Sequence, residues 1–534
     1  MGESFIQSNF LPGKYSLLCG VLLFPFPTLF TVMRFSSPPT LTAVAVLLVS
    51  QALSPCCALQ GPQLPSSSNR RAAPKLTTLP IVTKTTAKQA IAVPFPDGSS
   101  VTVPTQEQPR SSSSLAPQDA WIAQLDYEGF GKEVTALGKE LLRQGGTEDV
   151  EHLRKMVQWR NVCALVGLAT VWMTPNPLTI LALSTWTYSS WAMIAHHTCH
   201  GGYNRVNADG FNSRGFALGS MMQRAKDWLD WMDPESWNIE HNRLHHYRLN
   251  EASDPDLVQR NLDWLRDSNL SMMARYAVVA FFVPVWKWLY YAPNTYKELQ
   301  VAKLKKEGKE LPANFNMNAP ATVPSLLFYN DDESKALKEV VKPVEFFAKV
   351  AAPFFLSRFV VLPSLFLLVP GVGPSLFVNA MINLLAAELL TNAHAFVTIV
   401  TNHAGEDLYT FDDAVKPKTP SFYVRQIIGS ANYHTGNDPV DFVHGWLNYQ
   451  IEHHVWPDLS MRQYQRAAPQ LKAICEKYGV PYVQESVWTR LRKTVDIMVG
   501  KTTMRPFPTQ YEPAKDKAVN GVTWKSTNGA IDEE

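Results

Sequence analysis

The sequence predicts an all-α membrane protein: four transmembrane helices in two hairpins, with interfacial helices and a cap domain on the side of three histidine boxes. Three observations predict it. Apolar segments recur from Trp159 onward, at about 160–174, 177–195, 275–291, 350–369 and 375–402. Turns rich in Pro and Gly, Pro175-Asn-Pro177 and Pro370-Gly-Val-Gly-Pro374, divide them. Eight of the 13 histidines fall into three tight groups. If those groups meet at one site they lie on one side of the bilayer, and an even number of crossings separates them.

Each element follows from that constraint. Five crossings do not satisfy it, and Val278–Tyr291 carries Lys287 between Trp286 and Trp288, an interfacial composition. That segment is therefore expected to lie in the interface. The four remaining spans form two hairpins with both termini and all boxes on one face. Between the hairpins, Tyr296–Val340 is charged, with Lys303 to Lys309 and Asp331 to Ser334, and reads as a solvated loop on that face.

The first hundred residues read as something other than a folded domain. Between Glu3 and Asp97 there is no acidic residue, while Ser, Thr, Pro, Lys and Arg abound, the composition of a targeting segment. Within it, Met33 and Arg34 precede an apolar run from Leu41 to Val49, and Cys56-Cys57-Ala58 supplies small residues for signal-peptidase cleavage. Leu59 and a basic, hydroxylated stretch to Lys88 follow. A signal segment joined directly to a transit-like segment resembles the two-part plastid leader of algae with secondary plastids. It implies a plastid membrane; the alternatives are an endoplasmic-reticulum signal followed by a disordered linker, or a signal anchor at Tyr15–Met33. Residues 1–96 are thus expected to be a leader and 97–118, rich in Pro and Ser, a linker.

Composition excludes some functions. A formal charge of +2, from 49 Lys and Arg against 47 Asp and Glu, creates no net field to attract nucleic acid. Of six cysteines, Cys19, Cys56 and Cys57 fall in the expected leader, and no disulfide framework or CxxC metal knuckle remains.

The histidines carry the chemistry. They stand as His196-His197-Thr-Cys-His200, His241-Asn-Arg-Leu-His245-His246 and Gln450-Ile-Glu-His453-His454. On a helix, His196 and His200, like His241 and His245, are four residues apart and project from one face, so each pair can converge on a cation. Eight imidazoles exceed the needs of one ion, and two metals are the economical reading. Zinc is satisfied by four ligands, whereas two irons in a histidine-rich shell suit O2 chemistry on an alkyl C–H bond. The apolar segment 177–195 ends one residue before His196, placing the site at the membrane boundary.

The order HxxxH, HxxxHH, QxxHH between paired apolar hairpins resembles the membrane fatty acid desaturase superfamily, over about Trp159 to Pro481. The run Gly445-Trp-Leu-Asn-Tyr-Gln-Ile-Glu-His-His-Val-Trp-Pro-Asp458 is similar to front-end desaturases, whose third box begins with Gln. The resemblance implies a desaturase domain over 119–500, followed by a flexible tail over 501–534. It also implies a further ligand at the inner end of the fourth membrane helix, where His403 stands. The expected iron shell is therefore His196, His200, His241, His245, His246, His403, His453 and His454, holding two Fe ions. Gln450 is expected to act through its amide oxygen or a water. His197, where relatives often carry Asp, ranks below His196, as a group supporting the ligands or an extra ligand, and with Gln450 is a candidate catalytic residue. Asp254 or Asp256 is expected to hydrogen-bond a ligand imidazole, a plain turn being the alternative. His394 reads as a buried polar partner, and His152, His434 and His444 as loop or peripheral residues.

The activity implied is O2-dependent insertion of a cis double bond into an acyl-lipid chain. Each turnover needs two electrons. The chain has no His-Pro-Gly-Gly haem motif, so a separate donor is expected, ferredoxin in a plastid or free cytochrome b5 in the endoplasmic reticulum. The rival readings are a di-iron lipid or carotenoid hydroxylase or ketolase, and a metal-binding membrane receptor without turnover.

Overall fold

The computed structural model describes residues 115–518. The expected leader and almost all of the linker lie outside the described residues. The described chain is mostly helical, with four two-residue strands, β1 (Tyr409–Thr410), β2 (Asn432–Tyr433), β3 (Gln484–Glu485) and β4 (Arg505–Pro506), paired in parallel as β1 with β4 and β2 with β3.

Helix α1 (Tyr127–Gln144) is amphipathic, its start capped by Asp126, which accepts a hydrogen bond from the Gly129 N–H at 3.0 Å. Its buried stripe is Phe130, Val134 and Leu141. Helix α2 (Thr147–Thr170) begins charged and ends apolar; α3 (Pro177–Tyr188) returns beside it after a turn, capped by Asn176 on the Thr179 N–H. The two approach closely at Gly167, where an added Cβ would sit 2.7 Å from Leu183. From α3 the chain runs through a wide helical turn, Ser189–Ala195, directly into the first histidine group.

Among the described residues, two helices are long and apolar enough to cross a membrane, α6 (Pro343–Leu368) and the span Gly373–Asn402, whose regular part is α7 (Gly373–Ile399). The segments 160–174 and 177–195, expected to span, do not reach that standard. The charged first half of α2, including Glu148, Asp149 and Lys155, dilutes one, and α3 is a 12-residue helix rich in Thr and Ser. Helices α4 (Met272–Phe282) and α5 (Ala292–Lys306) belong to a pair bent by 78° that would be a third candidate only if counted as one span.

Two segments differ in burial from what their composition suggests. Lys287, beside Trp286 and Trp288 in the segment expected in the interface, is fully buried and paired with Asp230 at 2.8 Å over the Trp191 ring. The segment 296–340 is no simple solvated loop: α5 is buried from Ala292 to Leu299, leaving only its lysine-rich end in solvent, and a further helix covers Asp332–Val340. The packed body also runs past residue 500. β4 pairs with β1, buried Glu512 binds Arg425 at 2.6 Å, and buried Asp516 accepts from the Ser421 N–H and hydroxyl. These anchors are acidic and read, in sequence, as solvated.

Candidate metal centre

The first histidine group follows the wide turn at Ser189–Ala195 as a single turn of helix, His196–Cys199. The second lies on another wide turn, Asn238–Leu244, which tightens into a 3₁₀ turn at His245–Tyr247. Such widened turns rotate side chains off the regular helical line. Helix α8 (Pro420–Ile428) backs the third group, which sits on α9 (Gln450–Val455). Immediately before α9, Gly445 and Trp446 are both left-handed, at φ 65° and 61°. An added Cβ on Gly445 would lie 2.8 Å from the Tyr188 hydroxyl, so the chain passes here without a side chain.

The eight histidines expected as ligands converge. Ring nitrogens of His196, His200, His241, His246 and His453 form one set within 4.8 Å, and those of His245, His403 and His454 form another. His246 lies against both sets, 4.2 Å from His200 and stacked on His454 at 4.2 Å between ring centres. The box-two pair is divided: His241 joins the first set and His245 the second, whereas His196 and His200 stay together. The wide turn at 238–244 accounts for this, since it breaks the register that would have kept residues four apart on one line.

Hydrogen bonds fix which nitrogen faces inward. His453 Nδ1–H donates to the Tyr464 hydroxyl oxygen at 3.1 Å, the hydroxyl itself donating to the Trp456 carbonyl. His454 Nδ1–H donates to Gln426 at 3.0 Å, His245 Nδ1–H to Asp254 at 3.0 Å, and His196 Nδ1–H to the Ala192 carbonyl at 3.3 Å. Each of these rings thus presents a bare Nε2.

These bare atoms crowd one another. His196 Nε2 is 2.8 Å from His453 Nε2 and 3.2 Å from His241 Nε2. Lone pairs so close repel, yet donors at about 2.1 Å from one first-row ion and at right angles to each other are spaced at about 3 Å. His200 Nε2, both His246 nitrogens, His403 Nδ1 and His454 Nε2 are buried with no hydrogen-bond partner. Burial first, and the neighbouring imidazoles second, hold His200, His241, His246, His453 and His454 well below the usual imidazole range. Neutral imidazole is the form that binds metal. At His245 burial is the largest single influence and lowers, but the charge and hydrogen bond of Asp254 together with the Asp256 charge outweigh it, and the group is raised. The donor set fits cations.

Other expected residues fall in distinct places. Gln450 directs its side-chain amide at His403 Nε2, 3.0 Å away, and accepts from Asn402 at 3.4 Å. His197 is outside both sets; its Nδ1–H donates to the Met193 carbonyl at 2.6 Å and its ring is 5.1 Å from that of His196. Asp254 is the carboxylate on His245, while Asp256, with Glu240, lies within 4.8 Å of a His241 nitrogen. His394 is stacked on Tyr188 and bonds the Val443 carbonyl, away from the centre. His152 pairs with Asp438, and His444 bonds its own helix at Val440.

Glu240, Gln426 and Tyr464 were not singled out from the sequence. Glu240 is adjacent to His241 and was legible as a carboxylate beside a box. Gln426 stands 28 residues from the histidine it touches, on a helix with no motif of its own.

Comparison with known proteins agrees with this geometry. A family model described as fatty acid desaturase matches residues 170–486. An NADPH-dependent stearoyl-CoA 9-desaturase of Mycobacterium tuberculosis is 22% identical over 385 residues, covering 70% of this chain and 80% of its own. Acyl-lipid (8-3)-desaturase B of Dictyostelium discoideum is 27% identical over 153 residues, 27% of this chain and 32% of its own. Fatty acid desaturase 3 of Bos taurus is 42% identical over 59 residues, 11% of this chain and 13% of its own. No solved structure matches the chain.

Proposed function

Because this chain belongs to the fatty acid desaturase family, an O2-dependent oxidoreductase family, we propose that it is an acyl-lipid desaturase of the front-end class. It inserts a cis double bond between the carboxyl end and an existing double bond, as a step in making polyunsaturated fatty acids. The observation that carries the reading is the resolution of eight buried imidazoles into sets of five and three, with Gln450 beside the smaller. Relatives named as acyl-lipid (8-3)-desaturase and Δ8-fatty-acid desaturase support the class.

In this reading the two sets would hold two iron ions. When bound they would supply the O2-dependent removal of two hydrogens from adjacent methylenes to leave an alkene, two external electrons and two protons completing the reduction of O2 to two waters. The protein's part is positional. Asp254, Gln426 and Tyr464 lock three ligand rings through their Nδ1–H groups. Gln450 donates from its NH2 group to His403 Nε2 while its oxygen accepts from Asn402; a water it holds, or the amide oxygen once turned from Asn402, would complete the three-imidazole set. Trp237, stacked on His241 at 4.5 Å, walls the centre with an apolar face that keeps bulk water from the acyl chain. His197 braces the first box through Met193.

We read the membrane body as four spans, α2 with α3 and α6 with α7, under a cap that carries the boxes. Support comes from outward-facing apolar side chains on the first pair as well as the second: Leu165 is 62% exposed and Leu178 64%, beside Leu368 at 78%. The electrons come from a separate donor. A plastid membrane, with ferredoxin as donor, is the location favoured by the leader composition. Fusing residues 33–96 to a fluorescent protein tests it: plastid entry supports it, and retention in the secretory pathway rejects it.

The activity is tested by expressing the chain in yeast supplied with polyunsaturated precursors and analysing fatty acid methyl esters. New double bonds on the carboxyl side of existing ones are expected, and none with His241→Ala or His453→Ala. Hydroxylated products, or activity retained in both variants, would overturn the reading.

A further inference from the structure

The interior beside box two carries more negative charge than its side chains compensate. Asp254 is matched by His245 at 3.0 Å, and Glu298 by Lys297 at 2.9 Å. Glu240 and Asp256, by contrast, pair with no Lys or Arg among the described residues. Glu240 comes from the wide turn at 238–244, is 0% exposed, and has no hydrogen-bond partner on either oxygen. It lies against Asp256, half-buried in the turn that follows the box, whose Oδ1 accepts from the Tyr290 hydroxyl at 3.2 Å.

A third donor is directed at the same place. A ring nitrogen of His241 joins Glu240 and Asp256 in a group whose donor atoms lie within 4.8 Å of one another. His241 Nε2 is the nitrogen turned toward His196, at 3.2 Å, so Nδ1 is the one left over, buried and without a partner. Neither carboxylate belongs to the five-imidazole set, so an ion held by that set does not answer them. A proton shared between the two carboxyls would meet one oxygen of each and leave His241 Nδ1 unmet, where an unmet polar atom is costly. A cation at the centre of the group meets all three donors and offsets both carboxylate charges.

We propose that Glu240, Asp256 and His241 Nδ1 bind a divalent cation of the Mn2+ or Zn2+ class, additional to the ions of the two imidazole sets. Two carboxylates with one imidazole are a mixed oxygen and nitrogen donor set that suits such ions. Binding at Nδ1 releases that nitrogen's proton to solvent. His241 then bridges, with Nε2 in the five-imidazole set and Nδ1 on the added cation. The cation also ties the turn at 238–244 to the turn at 254–256, which carries the Asp254 that holds His245. The site does not depend on which reaction the neighbouring centre performs.

The test is the metal content of the full-length, iron-loaded protein in detergent after dialysis against Mn2+ or, separately, Zn2+. One Mn2+ or Zn2+ per chain is expected on top of unchanged iron. Glu240→Gln and Asp256→Asn should each weaken the added ion by at least about tenfold while keeping wild-type iron. A second readout needs no variant: Zn2+ should shift the Mössbauer signal of the five-imidazole ion, through the shared His241 ring, and leave that of the three-imidazole ion in place. No ion beyond the iron, which is the result a shared proton gives, overturns the proposal. So does an added ion held equally by both variants. Should both variants lose their iron, the wild-type spectrum decides: a Zn2+ shift confined to the five-imidazole ion supports the site, and no shift, or a shift of both signals, rejects it.

Discussion

Replacing Asp254 is predicted to weaken one metal ion and spare the other. Its carboxylate is fully buried; Oδ1 accepts from His245 Nδ1–H at 3.0 Å and the Asp256 N–H at 2.9 Å, and Oδ2 accepts from the Asn250 N–H at 2.8 Å. Every acceptor is therefore in use. Asparagine replaces one oxygen by NH2, and either orientation turns that donor toward another donor. If the amide oxygen keeps His245 and Asp256, the Asn250 N–H is orphaned at a cost of about 1–3 kcal/mol. If it turns away, His245 loses the partner that fixes its tautomer, and metal affinity falls by roughly 10- to 100-fold, or about 1.4–2.7 kcal/mol. Alanine loses both functions. Competition against a chelator of known iron affinity should show Asp254→Ala with the ion on His245, His403 and His454 weakened by that factor, and the ion on the five-imidazole set held as in the wild type. Equal weakening of both ions, or unchanged affinity for both, would refute the division of the centre.

Two further outcomes follow from the packing. Gly445→Ala forces a left-handed alanine, a cost of about 1–2 kcal/mol, and drives its Cβ against the Tyr188 hydroxyl at 2.8 Å; a lower Tm and less bound iron are expected, and an unchanged Tm would contradict the close approach. Burial raises the Glu251 carboxyl to about 7, against the pull of Arg425. The folded state then binds more protons than the unfolded one between pH 4.5 and about 7, so this group's contribution is complete below that window and is lost as pH rises through it. Glu251→Gln should flatten the fall of Tm over the same interval, and parallel curves for the two proteins would count against it.

What the sequence revealed and what it hid have physical reasons. The boxes were legible because eight histidines do not cluster by chance, whereas His403 was singled out only by the family resemblance, which implies a histidine at the inner end of the fourth apolar helix. The separation of His241 from His245 was not, since spacing alone presumes a regular helix and the turn at 238–244 is a wide one. Gln426 and Tyr464 touch box imidazoles from helices whose amphipathic pattern marks a buried face but carries no chemical motif. Lys287 misled in the other direction: flanking tryptophans suggested an interface, but Asp230, far away in sequence, compensates the charge in the interior.

The central claim is that eight imidazoles hold two inequivalent iron ions, five on one set and three on the other. Mössbauer spectroscopy of the protein reconstituted with ⁵⁷Fe tests it most directly. Two signals of equal area are expected in the wild type, and in His403→Ala the signal of the three-imidazole ion should vanish while the other persists. A single signal in the wild type, or loss of both together in that variant, would contradict the account.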